Sequence, residues 1–291
     1  MLPPYAQSFH LGHRYLERLL DGPVVVQEKY DGSQFSFGVV DECLSFRSKG
    51  AQVFPEQPDK LFEKVVNTVG AVDLQRIPGA IYRGESLRAR KHNALEYDRM
   101  PTGGFVLYDV EVAGQYYLDP QLTRQEAVRL SVEPCQLLWE GHGKDLDEAM
   151  LGVFLNMPSS LGGPLEGIVV KNYTQFGLDQ KFLLGKLVRP EFKEAHKATW
   201  NVGADPIDTI IGRYTTPMRW EKAIQHVRER GELTDSVQDI GTLLVEIKED
   251  VLKEHVDDIK DALFAHYRGR ITRGLTGGFP AWYKQRLGVT L

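Results

Sequence analysis

The chain has 291 residues, 42% of them hydrophobic and 26% charged, a globular composition with room for one large and one smaller domain. A formal net charge of −5 argues against a protein that coats nucleic acid indiscriminately, so any polynucleotide must be met by a local concentration of cations. No apolar run approaches the ~20 residues of a membrane helix. The start, Met1-Leu2-Pro3-Pro4-Tyr5, has no basic region ahead of a hydrophobic stretch, so no membrane partner, no secretion signal and a cytoplasmic location are expected.

Up to about residue 200 the pattern mixes strands and helices. The apolar run Pro23-Val24-Val25-Val26 opens a strand over 23–29, and further strands are expected over 34–40, 43–47, 79–84, 105–112, 115–118, 165–173 and 182–189. Asp31-Gly32 reads as the tight turn of a hairpin between the first two, and Gly114 turns another. Leu61, Phe62, Val65, Val66 and Val69 recur at helical spacing over 59–69, and a second helix is expected over 121–131, opened by Leu122-Thr123. Cys43 and Cys135 lack the spacing of a zinc site or a disulfide framework and are expected to be small core residues of a reducing compartment.

Beyond about residue 200 the pattern turns helical. Thr216-Pro217 starts a helix that Gly231 ends, and Thr234-Asp235-Ser236 caps a longer one. In the longer helix Ile240, Leu244, Ile247, Val251, Ile259 and Leu263 form a packing stripe. Charge in this tail is divided: nine acids and three lysines lie between Asp235 and Asp261, then Arg268, Arg270, Arg273, Lys284 and Arg286 follow without an acid. That basic end, with Tyr267, Trp282 and Tyr283 interleaved, fits a nucleic-acid grip. It fits equally well a patch that docks on the acidic helix before it.

Chemistry enters where charges interrupt short strands. Lys29, in Glu28-Lys29-Tyr30-Asp31-Gly32, ends an apolar strand, and partial desolvation together with nearby cations is expected to lower its pKa and make it a nucleophile. Arg47 and Lys49 follow Leu44-Ser45-Phe46, Glu85 ends Ile81-Tyr82-Arg83-Gly84, Glu166 opens Gly167-Ile168-Val169-Val170-Lys171, and Lys186 interrupts 182–189. Lysines and an arginine neutralise a triphosphate, a glutamate holds a hard divalent cation or a ribose hydroxyl, and an aromatic residue of 105–110 stacks on a base. The run Arg83, Arg88, Arg90, Lys91, His92 is either a solvated loop or an RNA phosphate contact.

These residues resemble, in order and spacing, the motifs of the covalent nucleotidyltransferase superfamily of polynucleotide ligases and capping enzymes. Lys29-Tyr30-Asp31-Gly32 is similar to the nucleophile motif KxDG, and Phe46-Arg47-Ser48-Lys49-Gly50 to the arginine-bearing motif. Gly84-Glu85-Ser86-Leu87 is similar to the ribose motif, Leu107-Tyr108-Asp109-Val110 to the base-stacking motif, and Glu166-Gly167-Ile168-Val169-Val170-Lys171 to EGxVxK. Lys186-Leu187-Val188-Arg189-Pro190-Glu191-Phe192-Lys193-Glu194 resembles the final motif of RNA ligases, with Val188 where a second lysine belongs and Arg189 its candidate substitute. The ending Gly278-Phe279-Pro280-Ala281-Trp282-Tyr283-Lys284 is similar to chain endings of RNA ligases of this group.

The resemblance implies an α+β fold: a nucleotidyltransferase domain of antiparallel sheets with flanking helices over 1–200, and a small helical C-terminal domain over 201–291. It implies an ATP-dependent RNA ligase working in RNA repair, with AMP carried on Lys29, Lys171 and Lys186 as catalytic cations, and Mg2+ or Mn2+ at Glu166. Nucleotide contacts are implied for Glu28, Asp31, Gly32, Arg47, Glu85, Tyr108, Glu166 and Arg189. Arg88, Arg90 and Lys49 are expected at RNA bearing 5'-phosphate and 3'-hydroxyl ends, a nicked duplex among them, met by a monomer. A DNA ligase, a GTP-using capping enzyme and an inactive RNA-binding relative are the alternatives.

Overall fold

β-Branched and aromatic residues, which pack well on a pleated surface, lead the chain into two sheets. The computed structural model describes residues 1–56, 58, 60–72, 77–112, 116–177, 179–189 and 205–288. Its strands are β1 (Phe9–His10), β2 (Pro23–Lys29), β3 (Ser33–Val40), β4 (Cys43–Ser48), β5 (Gln52–Val53), β6 (Ile81–Ser86), β7 (Phe105–Val112), β8 (Tyr116–Tyr117), β9 (Glu133–Pro134), β10 (Leu137–His142), β11 (Gly167–Phe176) and β12 (Phe182–Val188). Its helices are α1 (Glu63–Gly70), α2 (Pro120–Arg129), α3 (Glu148–Leu155), α4 (Pro206–Tyr214), α5 (Pro217–Glu229), α6 (Ile240–Leu275) and α7 (Phe279–Arg286). The turn expected at Gly114 and the expected boundary near residue 200 lie outside the described residues.

The first sheet has the order β1-β12-β11-β2-β10, and the second runs β5-β4-β3-β6-β7-β8 with β9 also on β7. Pairing is antiparallel apart from β1 with β12 and β9 with β7. Asp31-Gly32 therefore closes no hairpin, because β2 belongs to one sheet and β3 to the other. Gly32 serves space rather than turn geometry: a Cβ there would lie 2.7 Å from both the Glu85 Cγ and the Ser86 carbonyl.

Each sheet buries one face under helices and turns the other toward its partner sheet. Phe35, Phe37, Phe46, Tyr82, Phe105, Leu107 and Val110 pack with Phe62, Val65, Val66 and Val69 around α1, and with Ala127 and Leu130 around α2. Val24, Val26, Ile168, Val170 and Leu183 pack with Leu16, Leu19 and Phe154 of α3. α2 starts one residue earlier than expected, since the Asp119 carboxylate accepts from the Leu122 amide at 2.8 Å and Pro120 takes the first turn. Cys43 is exposed and Cys135 half-buried, so the expectation of two core cysteines is corrected for Cys43, which follows the tight Asp41-Glu42 turn.

The expected packing stripe of α6 is corrected at its start, while Ile247, Val251, Ile259 and Leu263 are half-buried. Ile240 and Leu244 are 56% and 55% exposed, while Asp250 and His255 are buried. The cause is α5, which presents the fully buried Arg219. Its guanidinium donates to Asp250, to Glu254 at 3.2 Å and to His255 Nε2 at 2.9 Å, and Lys222 adds pairs to Asp250 at 3.1 Å and Glu254 at 2.8 Å. Burial alone would raise the Glu254 carboxyl, but Lys186, Lys222 and Lys49 hold it well below the usual range. Its contribution to stability is therefore complete above the ordinary glutamate range and is lost as pH falls below it. Arg219→Met leaves this carboxylate cluster short of a cation, and we expect a loss of about 3 kcal/mol in denaturant unfolding.

Candidate active site

Strand register builds the centre of the site. Gly167 of β11 lies opposite Lys29 of β2, which brings Glu166 beside the lysine although 137 residues separate them. Lys29 Nζ donates to both Glu166 oxygens at 2.7 Å. The turn below is fixed by Asp31, whose carboxylate accepts from the Ala94 and Leu95 amides at 2.7 Å and from Asn93 Nδ2 at 3.2 Å. Glu85 enters from β6, opposite Gln34.

The electrostatics differ from the sequence expectation. Burial pulls the Lys29 ammonium down, but Glu166, Glu85 and Asp31 outweigh it and hold the amine above the ordinary lysine value. Of the cations expected to oppose protonation, Lys171 is bound to Asp109, while the Glu166 carboxylate is in contact with the amine. Burial also pushes Glu85 up to about 8, a rise Lys29 opposes and Glu166, Glu229 and Asp31 reinforce. At neutral pH the Glu85 carboxyl is thus largely protonated in the ligand-free protein, and Glu166 is the carboxylate that balances the ammonium.

A bulge in β7 supplies the opposite wall. Arg83 pairs with Asp109 and Gly84 with Leu107, so Tyr108 is an extra residue. Leu107 and Val110 reach the core, and the two residues between them serve the cleft. Tyr108 lines the cavity, while Asp109 accepts from Lys171 Nζ at 2.9 Å and from the Tyr173 and Tyr5 hydroxyls. Lys171 Nζ also lies 4.6 Å from the centre of the Tyr108 ring. On β12, Lys186 stands opposite Val169 and faces the same cavity. The cavity measures about 670 Å³ and is lined by Lys29, Asp31, Gly32, Glu85, Tyr108, Glu166, Lys171 and Lys186, with α5 and α6 along one side.

The model of the RNA ligase family matches residues 22–188, more than half of the chain. The chain belongs to the RNA ligase family. Its fold is similar to that of Naegleria gruberi RNA ligase with PPi, at TM-score 0.50 and 15% identity over 66% of this chain and 57% of that one. It is likewise similar to a lysine-to-alanine mutant of that ligase with ATP and Mn, at TM-score 0.51 and 14% identity over 66% and 58%. This chain therefore spans less than two thirds of the length of those proteins. No curated protein is significantly similar in sequence.

The remaining expected residues of this RNA ligase family member take varied positions. Glu28 points to the opposite face of β2 from Lys29, as the period of a strand requires. Its buried carboxylate accepts from the Ser159 hydroxyl and the Ser160 amide and so anchors a loop, and Glu28 also stands among the residues that line the cavity. Arg47 on β4 is outside the residues that line the cavity, and its Nε is buried without a hydrogen-bond partner. Arg189 follows β12, with its amide bonded to the Glu166 carbonyl at 3.0 Å, and the rest of that motif, from Pro190 onward, lies outside the described residues.

Arg88 and Arg90 are exposed and outside the residues that line the cavity, in the segment that leads to Asn93 and Ala94, which do line it, and Arg90 forms a loose 3.6 Å pair with Glu96. Arg83 is no phosphate contact: it is buried and bound to Glu111 at 2.6 Å and to the Pro3 carbonyl at 2.8 Å. Lys49 does line the cavity and reaches His226 Nε2 at 3.4 Å.

Three contributors escaped the sequence reading. Tyr5 brings the N-terminal segment into the cleft, with its ring 5.4 Å from that of Tyr108. Gln225 of α5 donates to the Gly32 carbonyl and to Glu229, each at 2.8 Å, and so ties the helical part to the turn after Lys29. Gln27, two residues before Lys29 on the same face of β2, leaves its carbonyl oxygen buried without a partner. Of these only Gln27 carried a signal, its place in the strand period. Among the described residues no three His, Cys, Asp or Glu side chains are grouped as metal ligands. Glu166, with Glu85 acting on the same amine, nonetheless suits a divalent cation that takes most of its ligands from water and phosphate.

Proposed function

We propose that this protein is an ATP-dependent RNA ligase that joins 3'-hydroxyl and 5'-phosphate ends through AMP carried on Lys29, in RNA repair. One observation carries the reading: Lys29 ends β2 at a cavity of nucleotide size, clamped by Glu166, where Lys171 and Lys186 arrive on the neighbouring strands. Naegleria gruberi RNA ligase, whose fold this chain resembles, has been solved with ATP and Mn, which is consistent with the same ligands here.

In the first step the neutral Lys29 amine attacks the α-phosphorus of ATP. A P–N bond forms, the α–β phosphoanhydride breaks, pyrophosphate leaves and the amine gives up its proton. Lys171 and Lys186 share the charge that builds on the phosphate oxygens, Tyr108 stacks on the base and Glu85 accepts from the ribose. Asp31 and Gly32 hold the turn, and Arg47 and Arg189 supply charge toward the phosphates. Glu166, with Glu85 close by, would hold Mg2+ or Mn2+, which neutralises phosphate charge and draws carboxylate charge away from the amine. AMP then passes to the RNA 5'-phosphate, and the 3'-hydroxyl of the second strand displaces it. The chain's part throughout is positioning and charge neutralisation.

The helices α4–α7 beyond Asp205 favour an RNA ligase over a DNA ligase or capping enzyme, for which a β-barrel is expected there. Intact-mass measurement after incubation with ATP and Mg2+ or Mn2+ tests the reading. The expected result is a chain heavier by one adenylate, mapped to Lys29. An adduct formed from GTP alone, or on another residue, overturns it.

A further inference from the structure

We propose that the basic, aromatic end of the molecule, Arg268 to Arg286, is a grip for the phosphate backbone of the RNA, standing some 20 to 30 Å along α6 from the catalytic cleft. The proposal rests on the reading of the chain as an RNA ligase and assigns a second contact to the same substrate. Three observations lead to it.

The first is exposure. Every residue from Arg268 to Gly288 is exposed, including Phe279 at 56%, Trp282 at 54% and Tyr283 at 46%. The cationic end does not dock on the acidic half of α6. That half is already paired with Arg219, Lys222, His226 and Arg230, and among the described residues no salt bridge reaches Arg268, Arg270, Arg273, Lys284 or Arg286.

The second is charge. These five cations occur with no acid after Asp261, so a chain of net charge −5 carries −10 outside this segment. A polyanion is repelled by the whole and drawn to this end. A second copy meeting the same patch on its partner would set five cations against five.

The third is the arrangement of rings. Phe279 and Tyr283 stack at 5.6 Å and 11°, and the Arg286 guanidinium lies 5.6 Å from the Trp282 ring centre. Rings backed by guanidinium groups offer planes for bases beside donors for phosphates.

α6 connects the grip to the chemistry. Lys253 and Glu254 line the cavity with Lys29. From there to Arg268 the helix rises about 21 Å, and about 31 Å to Leu275, at 1.5 Å per residue. Strand ends in the cleft and the flanking backbone on this arm therefore belong to one substrate.

The test compares wild type with R268A/R270A/R273A by fluorescence anisotropy on a labelled, nicked RNA duplex over a series of salt concentrations. Alanine suits an exposed helix, so the fold survives. We expect at least tenfold weaker binding at low salt, and a salt slope smaller by about two to three, near one for each cation removed. Lysine adenylylation from ATP alone should stay within twofold. Unchanged affinity and slope overturn the grip, as does a variant that only converts a wild-type dimer to monomer in sedimentation. A wild type that forms no lysine adenylate overturns the ligase reading instead, while the anisotropy series still decides the grip.

Discussion

Lys29→Ala will form no adenylate adduct with ATP and a divalent cation, a loss of at least about a thousandfold in single-turnover rate, because the attacking atom is gone. Lys29→Arg will be equally inactive, since a guanidinium keeps its proton at any working pH. Both variants should still seal RNA that already carries AMP on its 5'-phosphate, because that last displacement needs the surrounding cations and not the amine. Intact mass reads the first result and gel mobility of the joined strand the second. An adduct that survives in Lys29→Ala would remove the nucleophile from the scheme.

The strand pattern was legible because alternation and β-branching are local properties. The segments expected over 23–29, 34–40, 43–47 and 105–112 coincide with β2, β3, β4 and β7 within a residue or two. Partners were not legible. Nothing in the spacing says that β2 lies between β10 and β11, and on that order depends the meeting of Lys29 with Glu166. A lysine read alone as desolvated and poised for deprotonation is instead held protonated by a neighbour 137 residues away. Asp109 was seen only within an aromatic motif, because period-two reasoning turns it away from Tyr108, and the bulge brings both to the cleft. On α6 the hydrophobic stripe misled at Ile240 and Leu244, because the helix is held through its acidic residues by the cations of α5.

Glu166→Gln decides between two roles for the carboxylate clamp. In the ligand-free protein the Lys29 amine sits above its ordinary value. The ion pair therefore stabilises the fold below the ordinary lysine value for as long as Glu166 is ionised, and on the alkaline side that contribution is lost as pH rises through the raised value. The reaction needs the opposite protonation state. The wild-type adenylylation rate should therefore climb with pH through neutrality, close to tenfold per unit while the neutral fraction is small. Glutamine removes the largest charge contact, so the amine of Glu166→Gln deprotonates more easily and its profile shifts to lower pH. If the carboxylate only restrained the amine, this variant would be the faster enzyme near neutral pH. A carboxylate that also balances phosphate charge through a divalent cation predicts the reverse: a profile displaced to lower pH with its plateau roughly a hundredfold to a thousandfold down. Single-turnover adenylylation of both proteins from about pH 6 to 10 separates the outcomes by direction: a variant faster than wild type near neutral pH marks a carboxylate that only restrains the amine, and one slower across the series marks a carboxylate that also balances phosphate charge.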